Sequence, residues 1–188
     1  MNKIITISRQ FGSGGRTIGM MVAEKLNIPF YYKEMLALVA QESGLDKQFI
    51  SEMNVNAPNF LYDLYLSTDA VKQSVIAQEK IIRKIADQGA CVIVGRASDY
   101  ILRDYDNVIN VFIHAPKDFR VKNIMEMYND DKAAATENMK KSDYARASYY
   151  RNISGKKWNE PSNYTICLDS SIGLEVCADL ICNLYKTR

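Results

Sequence analysis

The stretch Ile4–Gly19, IITISRQFGSGGRTIG, constrains this chain more than any other. Ile4, Ile5, Thr6 and Ile7 are β-branched and apolar enough to predict a buried strand. The run opens into a loop holding Gly12, Ser13, Gly14 and Gly15. The loop closes on Arg16, Thr17 and an apolar series of helical spacing, Ile18, Met21, Val22 and Leu26. Glycines in such a turn let backbone N–H groups face an anion, and the helix start adds the positive end of its dipole. Strand, glycine turn and helix in that order make a phosphate cradle.

Two phosphate-binding patterns compete for these glycines. The P-loop pattern G-x-x-x-x-G-K-[ST] puts its last three residues on Gly15, Arg16 and Thr17, with Arg16 in the lysine place and Gln10 in the first glycine place. Arginine keeps the charge and grips phosphate as a planar fork. Thr17 supplies the hydroxyl that holds Mg²⁺ in such loops. The dinucleotide pattern G-x-G-x-x-G fails, because counting from Gly12 puts Thr17 in its third place, and counting from Gly14 puts Arg16 in its second. The strand that follows ends near Phe30–Tyr32, without the acidic residue a ribose requires. The phosphate-loop reading is retained.

Further apolar runs predict strands at Cys91–Val94, Val108–Ile113 and Tyr164–Leu168, with a weaker one at Ile28–Tyr31. They lack polar alternation, as strands buried on both faces do. Between them run helical stripes: Met35, Leu38 and Val39; Val71, Val75, Ile82 and Ile85; Val176, Leu180, Ile181 and Leu184. Alternation of this kind predicts an α/β fold with helices on both faces of a parallel sheet, and ligands at the carboxyl ends of its strands. The glycine loop lies on that edge, as does Gly95-Arg96 after CVIV. With 188 residues and 47% hydrophobic content, a single domain over 1–188 is expected.

The formal charge of +2 gives no reason to expect nucleic acid or a membrane surface as partner. No apolar run reaches membrane-span length and no leader pattern precedes the first strand, so a cytoplasmic protein is expected. Cys91, Cys167, Cys177 and Cys182 sit in apolar segments without C-x-x-C spacing, and read as buried thiols. His114, the single histidine, reads as a structural residue at a strand end. Two stretches stand apart from sheet and core. Ala57–Thr68 is aromatic, and reads as a connector or as part of a ring-binding pocket. Asn129–Lys141 is polar with few anchoring residues, and reads as a solvent-facing helix pair or as a lid that closes on phosphates.

Four stretches together resemble the bacterial cytidylate kinase-like family of nucleoside monophosphate kinases, in the P-loop superfamily. They are ISRQFGSGGRTIG (7–19), IPFYYKEM (28–35), CVIVGRASDYIL (91–102) and DYARASYYRNISGKKW (143–158), spread over nearly the whole chain in the family's order. The resemblance implies a three-layer kinase fold with a central parallel five-stranded sheet, helices on both faces and a helical lid near 129–142, with an acceptor-binding insertion near 32–70. It implies ATP and Mg²⁺, with Gly12, Ser13, Gly14, Gly15, Arg16 and Thr17 holding the triphosphate and Thr17 the metal. Arg96 would hold the acceptor phosphate. Asp143 and Arg146 would contact the acceptor sugar and phosphate, although an ordinary i,i+3 ion pair explains them equally well. Arg120 would reach toward the phosphates, and Lys140 and Lys141 would add charge on closure.

The family's expected activity is phosphoryl transfer from ATP to a nucleoside monophosphate, CMP or dCMP, with Arg16, Arg96 and Arg146 as the catalytic charges of a monomer or weak homodimer. Alternatives are a same-fold kinase for another small acceptor, or a weakly catalytic nucleotide-binding regulator. The chain departs from the family's habit at Tyr32, where relatives often have aspartate, and at Thr17, where they often have glutamate. It also carries Ala97 in place of an aspartate, with Asp99 two residues on as a candidate substitute.

Overall fold

The computed structural model describes residues 3–32, 34–44 and 68–187. The expected insertion and the aromatic connector lie mostly outside these residues. The strands are β1 (Ile4–Arg9), β2 (Phe30–Tyr31), β3 (Cys91–Val94), β4 (Val108–His114) and β5 (Ile166–Asp169). They form one parallel sheet in the order β2-β3-β1-β4-β5. The helices are α1 (Gly15–Leu26), α2 (Glu34–Ser43), α3 (Asp69–Gln88), α4 (Ser98–Ile101), α5 (Lys117–Tyr128), α6 (Lys132–Ser154) and α7 (Leu174–Thr187). This is the three-layer α/β arrangement that the alternating pattern predicts.

The period of two in each strand divides the core. Ile5, Ile7, Val92, Val94, Ile109, Val111 and Ile113 face α1 and α7, where they meet Ile18, Val22, Cys177, Ala178 and Ile181. Ile4, Cys91, Ile93 and Val108 face the other way, onto Met35 and Val39 of α2 and Ile81, Ile82 and Ile85 of α3. Both sides of the central strands are therefore apolar, which is why no alternation is visible in the sequence. The next residue on the α1 side of β1, after Ile5 and Ile7, is Arg9 at the carboxyl edge.

Several boundaries differ from expectation, each for a local reason. β2 is only two residues long, since Pro29 has no N–H to offer a ladder and contributes its carbonyl to Val92 N–H at 2.8 Å instead. β5 begins at Ile166, because Thr165 N–H already caps Asn110 of β4 at 2.7 Å. On α7 the expected stripe is displaced: Val176 and Leu180 are exposed, and the smaller Cys177, Ala178 and Cys182 flank Ile181 in the core. The expected helix pair over 129–141 is the first half of the single helix α6. It is anchored after all, by Ala135 and Met139 buried against Val121 and Ile124 of α5. No helix among the described residues is long and apolar enough to cross a membrane.

Candidate active site

The glycine loop runs from β1 into α1 at the carboxyl edge of the sheet. Its N-cap, Gly14, is left-handed at φ 74° and supplies no side-chain cap, and the first turn of α1 holds no acidic residue. The amides of Gly14, Gly15, Arg16 and Thr17 have no hydrogen-bond partner among the described residues. Unsatisfied helix-start donors with the dipole behind them are what an oxyanion seeks.

Side chains of the loop itself and of distant elements fix the loop backbone. Ser13 Oγ donates to the Gln10 carbonyl at 2.8 Å, and Asn123 Nδ2 of α5 donates to the Gly12 carbonyl at 2.9 Å. Asp143 of α6 accepts from Phe11 N–H at 2.7 Å and pairs with Arg120 at 2.5 Å, while Arg120 also donates to the Phe11 carbonyl at 3.2 Å. Asp143 and Arg120 are thus committed to the loop backbone, and α6 is tied to it. Arg146, three residues on, turns elsewhere: its Nη1 donates to the Arg9 carbonyl at 3.1 Å, and its guanidinium lies 5.3 Å from the Phe11 ring.

Arg146 joins a group of guanidiniums gathered around Tyr32. Arg16 lies 5.1 Å and Arg9 5.6 Å from the Tyr32 ring centre, within cation–π range. Arg9 and Tyr32 are also coupled through charge, each favouring the other's ionised form. Burial, followed by the field of Arg9, pulls Arg146 well below the usual arginine range, against the opposing pull of Asp143 and Tyr32. Arg9 is lowered likewise, chiefly by burial and also by Arg96, with Tyr32 opposing. Burial raises the Tyr32 phenol, but the combined fields of Arg9, Arg146 and Arg16 outweigh it and leave it lowered. Arginines remain charged at neutral pH. Their shifts therefore register mutual repulsion in a poorly solvated place, which an anion would relieve.

Arg96 enters from the turn after β3. Gly95, Arg96 and Ala97 are all left-handed, at φ 80°, 62° and 51°. For the two non-glycine residues this costs about 1–3 kcal/mol each. Gln78 Nε2 of α3 holds the turn by donating to the Arg96 carbonyl at 3.1 Å, and also reaches the Tyr149 hydroxyl at 2.5 Å. Strain kept in place by a buried side chain fixes Arg96 at the ligand edge beside Arg9. Asp99, the candidate substitute for the absent aspartate, does not face this cluster. It is buried, accepts from Tyr150 at 2.7 Å and Ser8 at 3.5 Å, and so links α4 to α6 and β1.

The donor set suits Mg²⁺ only in part. Thr17 sits in the first turn of α1 with a hydroxyl that has no hydrogen-bond partner among the described residues. Among those residues no group of three histidine, cysteine or acidic side chains is placed to hold a metal. One hydroxyl fits an ion that takes its other ligands from phosphates and water, and does not fit an all-protein metal cage.

The sequence profile of the cytidylate kinase-like family matches residues 4–172. The chain belongs to that family. A cytidylate kinase of Methanocaldococcus jannaschii is 28% identical over 178 residues, covering 89% of this chain and 88% of its own. The solved structure of an uncharacterized protein from Eubacterium ventriosum shares 31% identity at TM-score 0.77, covering 99% of both chains. Shikimate kinase from Bacteroides thetaiotaomicron has the same fold, with TM-score 0.61, 12% identity and 99% coverage of each chain.

In this cytidylate kinase-like chain the structure brings Arg16, Arg96 and Arg146 to one edge and sets Asp143 and Arg120 against the loop. Two members of the cluster, Arg9 and Tyr32, are missing from the sequence-based site. A signal for Arg9 was present in the alternation of Ile5, Ile7 and Arg9 in β1. Tyr32 stood out only as a departure from the aspartate that relatives often carry after β2.

Proposed function

We propose that this protein transfers the γ-phosphoryl group of ATP to a nucleoside monophosphate, with CMP or dCMP preferred. The convergence of Arg9, Arg16, Arg96 and Arg146 beside an uncapped helix start carries this reading. Membership of the family and the name of the archaeal relative support the acceptor.

An acceptor phosphate oxygen attacks the γ-phosphorus in line, the bond from that phosphorus to the β–γ bridging oxygen breaks, and ADP leaves. A phosphate monoester is mostly dianionic at neutral pH, its second pKa being about 6, so its oxygen needs no general base. The protein's task is alignment, charge and exclusion of water. The amides of Gly14–Thr17 and the Arg16 guanidinium receive the donor phosphates, with Gly12 and Ser13 shaping the loop. Thr17 would hold Mg²⁺, which neutralises phosphate charge when bound. Arg96 and Arg146 take the acceptor phosphate. Asp143 and Arg120 keep the Phe11 backbone in place. The segment 129–142, which carries Lys140 and Lys141, serves as the lid by moving together with α5, on which Ala135 and Met139 seat it. The same reading makes the chain a single-domain cytoplasmic protein, a monomer or weak homodimer.

Coupled measurement of ADP release over a panel of nucleoside monophosphates, shikimate and gluconate tests this. The expected result is turnover with CMP or dCMP well above the rest. Turnover only with a sugar or acid would make the protein a same-fold kinase for another acceptor. Arg16 in the lysine place favours a second reading, a nucleotide-binding regulator. Stabilisation by ATP without transfer to any acceptor would select it.

A further inference from the structure

Arg9 lies in a passage that only glycines leave open. A Cβ on Gly15 would fall 2.6 Å from Arg9 Cβ, and a Cβ on Gly95 would fall 2.2 Å from Arg9 Nη1. The side chain therefore rises from β1 past the start of α1 and ends against the turn that bears Arg96. It spans the gap between the donor loop and the acceptor turn. Among the described residues it forms no ion pair with a carboxylate. Asp143, the acid whose field reaches it, is engaged by Arg120 and Phe11 N–H. Its remaining neighbours in charge are Arg96 and Arg146, both cations. A poorly solvated guanidinium with cations on two sides is costly unless an anion sits among them.

We infer that Arg9 contacts the phosphoryl group in transit, filling with its guanidinium the space that a side chain on Gly95 would take, and that Tyr32 holds it there. Tyr32 does this with its ring face, whose centre lies 5.6 Å from the Arg9 guanidinium. The inference rests on the phosphoryl-transfer reading, yet its first readout does not need the acceptor to be known. Arg9 is a catalytic residue in this account, and Tyr32 a positioning residue.

Inorganic tripolyphosphate is the probe, with binding followed by calorimetry on the intact chain. Arg9→Ala is expected to weaken binding at least tenfold, and Arg9→Lys less. Guanidinium ion at millimolar concentration is expected to restore Arg9→Ala, because the freed passage admits it. A loss under tenfold in Arg9→Ala, or no recovery with guanidinium, overturns the inference. Should Arg9→Ala fail to fold, Tyr32→Phe and Tyr32→Ala take its place. Phe keeps the ring and is expected to lose less affinity than Ala; equal binding by both variants and the unaltered protein overturns the role of Tyr32 in holding Arg9. If tripolyphosphate binding depends on Arg9 but no acceptor is phosphorylated, the kinase reading falls and the anion site stands. If transfer occurs and Arg9→Ala retains it, the reverse holds.

Discussion

Gly95→Ala separates a structural demand from a chemical one. Gly95 has φ +80°, and its Cβ would meet Arg9 Nη1 at 2.2 Å and Cζ at 3.1 Å. A side chain in the left-handed region costs about 1–2 kcal/mol. The clash adds little to that, because its partner is the far end of a flexible side chain, which gives way. Giving way, however, takes the guanidinium out of its passage. Loss of one preorganised charge at a transition state lowers the rate by about 10²–10³-fold. Gly155, at the end of α6, is the matched control, with φ +70° and nothing within 4 Å of its Cβ. Urea unfolding and initial rates of phosphoryl transfer on both variants form the assay. Both are expected to lose about 1–2 kcal/mol of stability from the backbone alone, and only Gly95→Ala is expected to lose transfer. The reasoning fails if Gly95→Ala transfers within threefold of the unaltered protein, or if Gly155→Ala loses as much.

Arg16→Ala and Arg96→Ala are each expected to lower kcat/KM by about 10²–10³-fold. Arg16 is exposed, so its variant should keep its unfolding free energy within about 0.5 kcal/mol, checked by urea titration. Asp99→Ala leaves the Tyr150 hydroxyl without its acceptor, at a cost of about 1–3 kcal/mol. Asp99→Asn keeps an acceptor oxygen and should cost less. Burial raises the Asp99 carboxyl, with Tyr150 and Ser8 opposing, so the folded state takes up its proton before the unfolded state does. The unaltered protein should therefore gain stability relative to Asp99→Asn as pH falls from 7 toward the carboxylate range, read from unfolding midpoints at several pH values. Burial pushes the Cys91 thiol up to about 12 and raises Cys167, Cys177 and Cys182 as well. Labelling at pH 8 should be slow in the native protein and reach all four thiols in denaturant. Rapid native labelling of Cys91 would contradict its place in β3.

The sheet was legible because β-branched runs without polar alternation have few other uses, and the order of strands and helices followed from them. Residues whose meaning depends on tertiary approach were not legible. Arg9 looks like the polar end of a strand until Gly15 and Gly95 are seen on either side of it. Ala135 and Met139 anchor α6, although an alanine among polar residues carries no signal of burial. On α7 the larger side chains Val176 and Leu180 suggested the buried stripe, but close approach to α1 favours Cys177, Ala178 and Cys182. Asp143 and Arg146 have the spacing of an ion pair, and only the nearness of Phe11, Arg120 and Arg9 shows that they turn to different partners.

Transfer of label from γ-labelled ATP, with each nucleoside monophosphate as acceptor and the products resolved directly, tests the central claim. The account expects label in a nucleoside diphosphate, fastest from CMP or dCMP. ATP bound by the protein with no labelled diphosphate from any acceptor would contradict it.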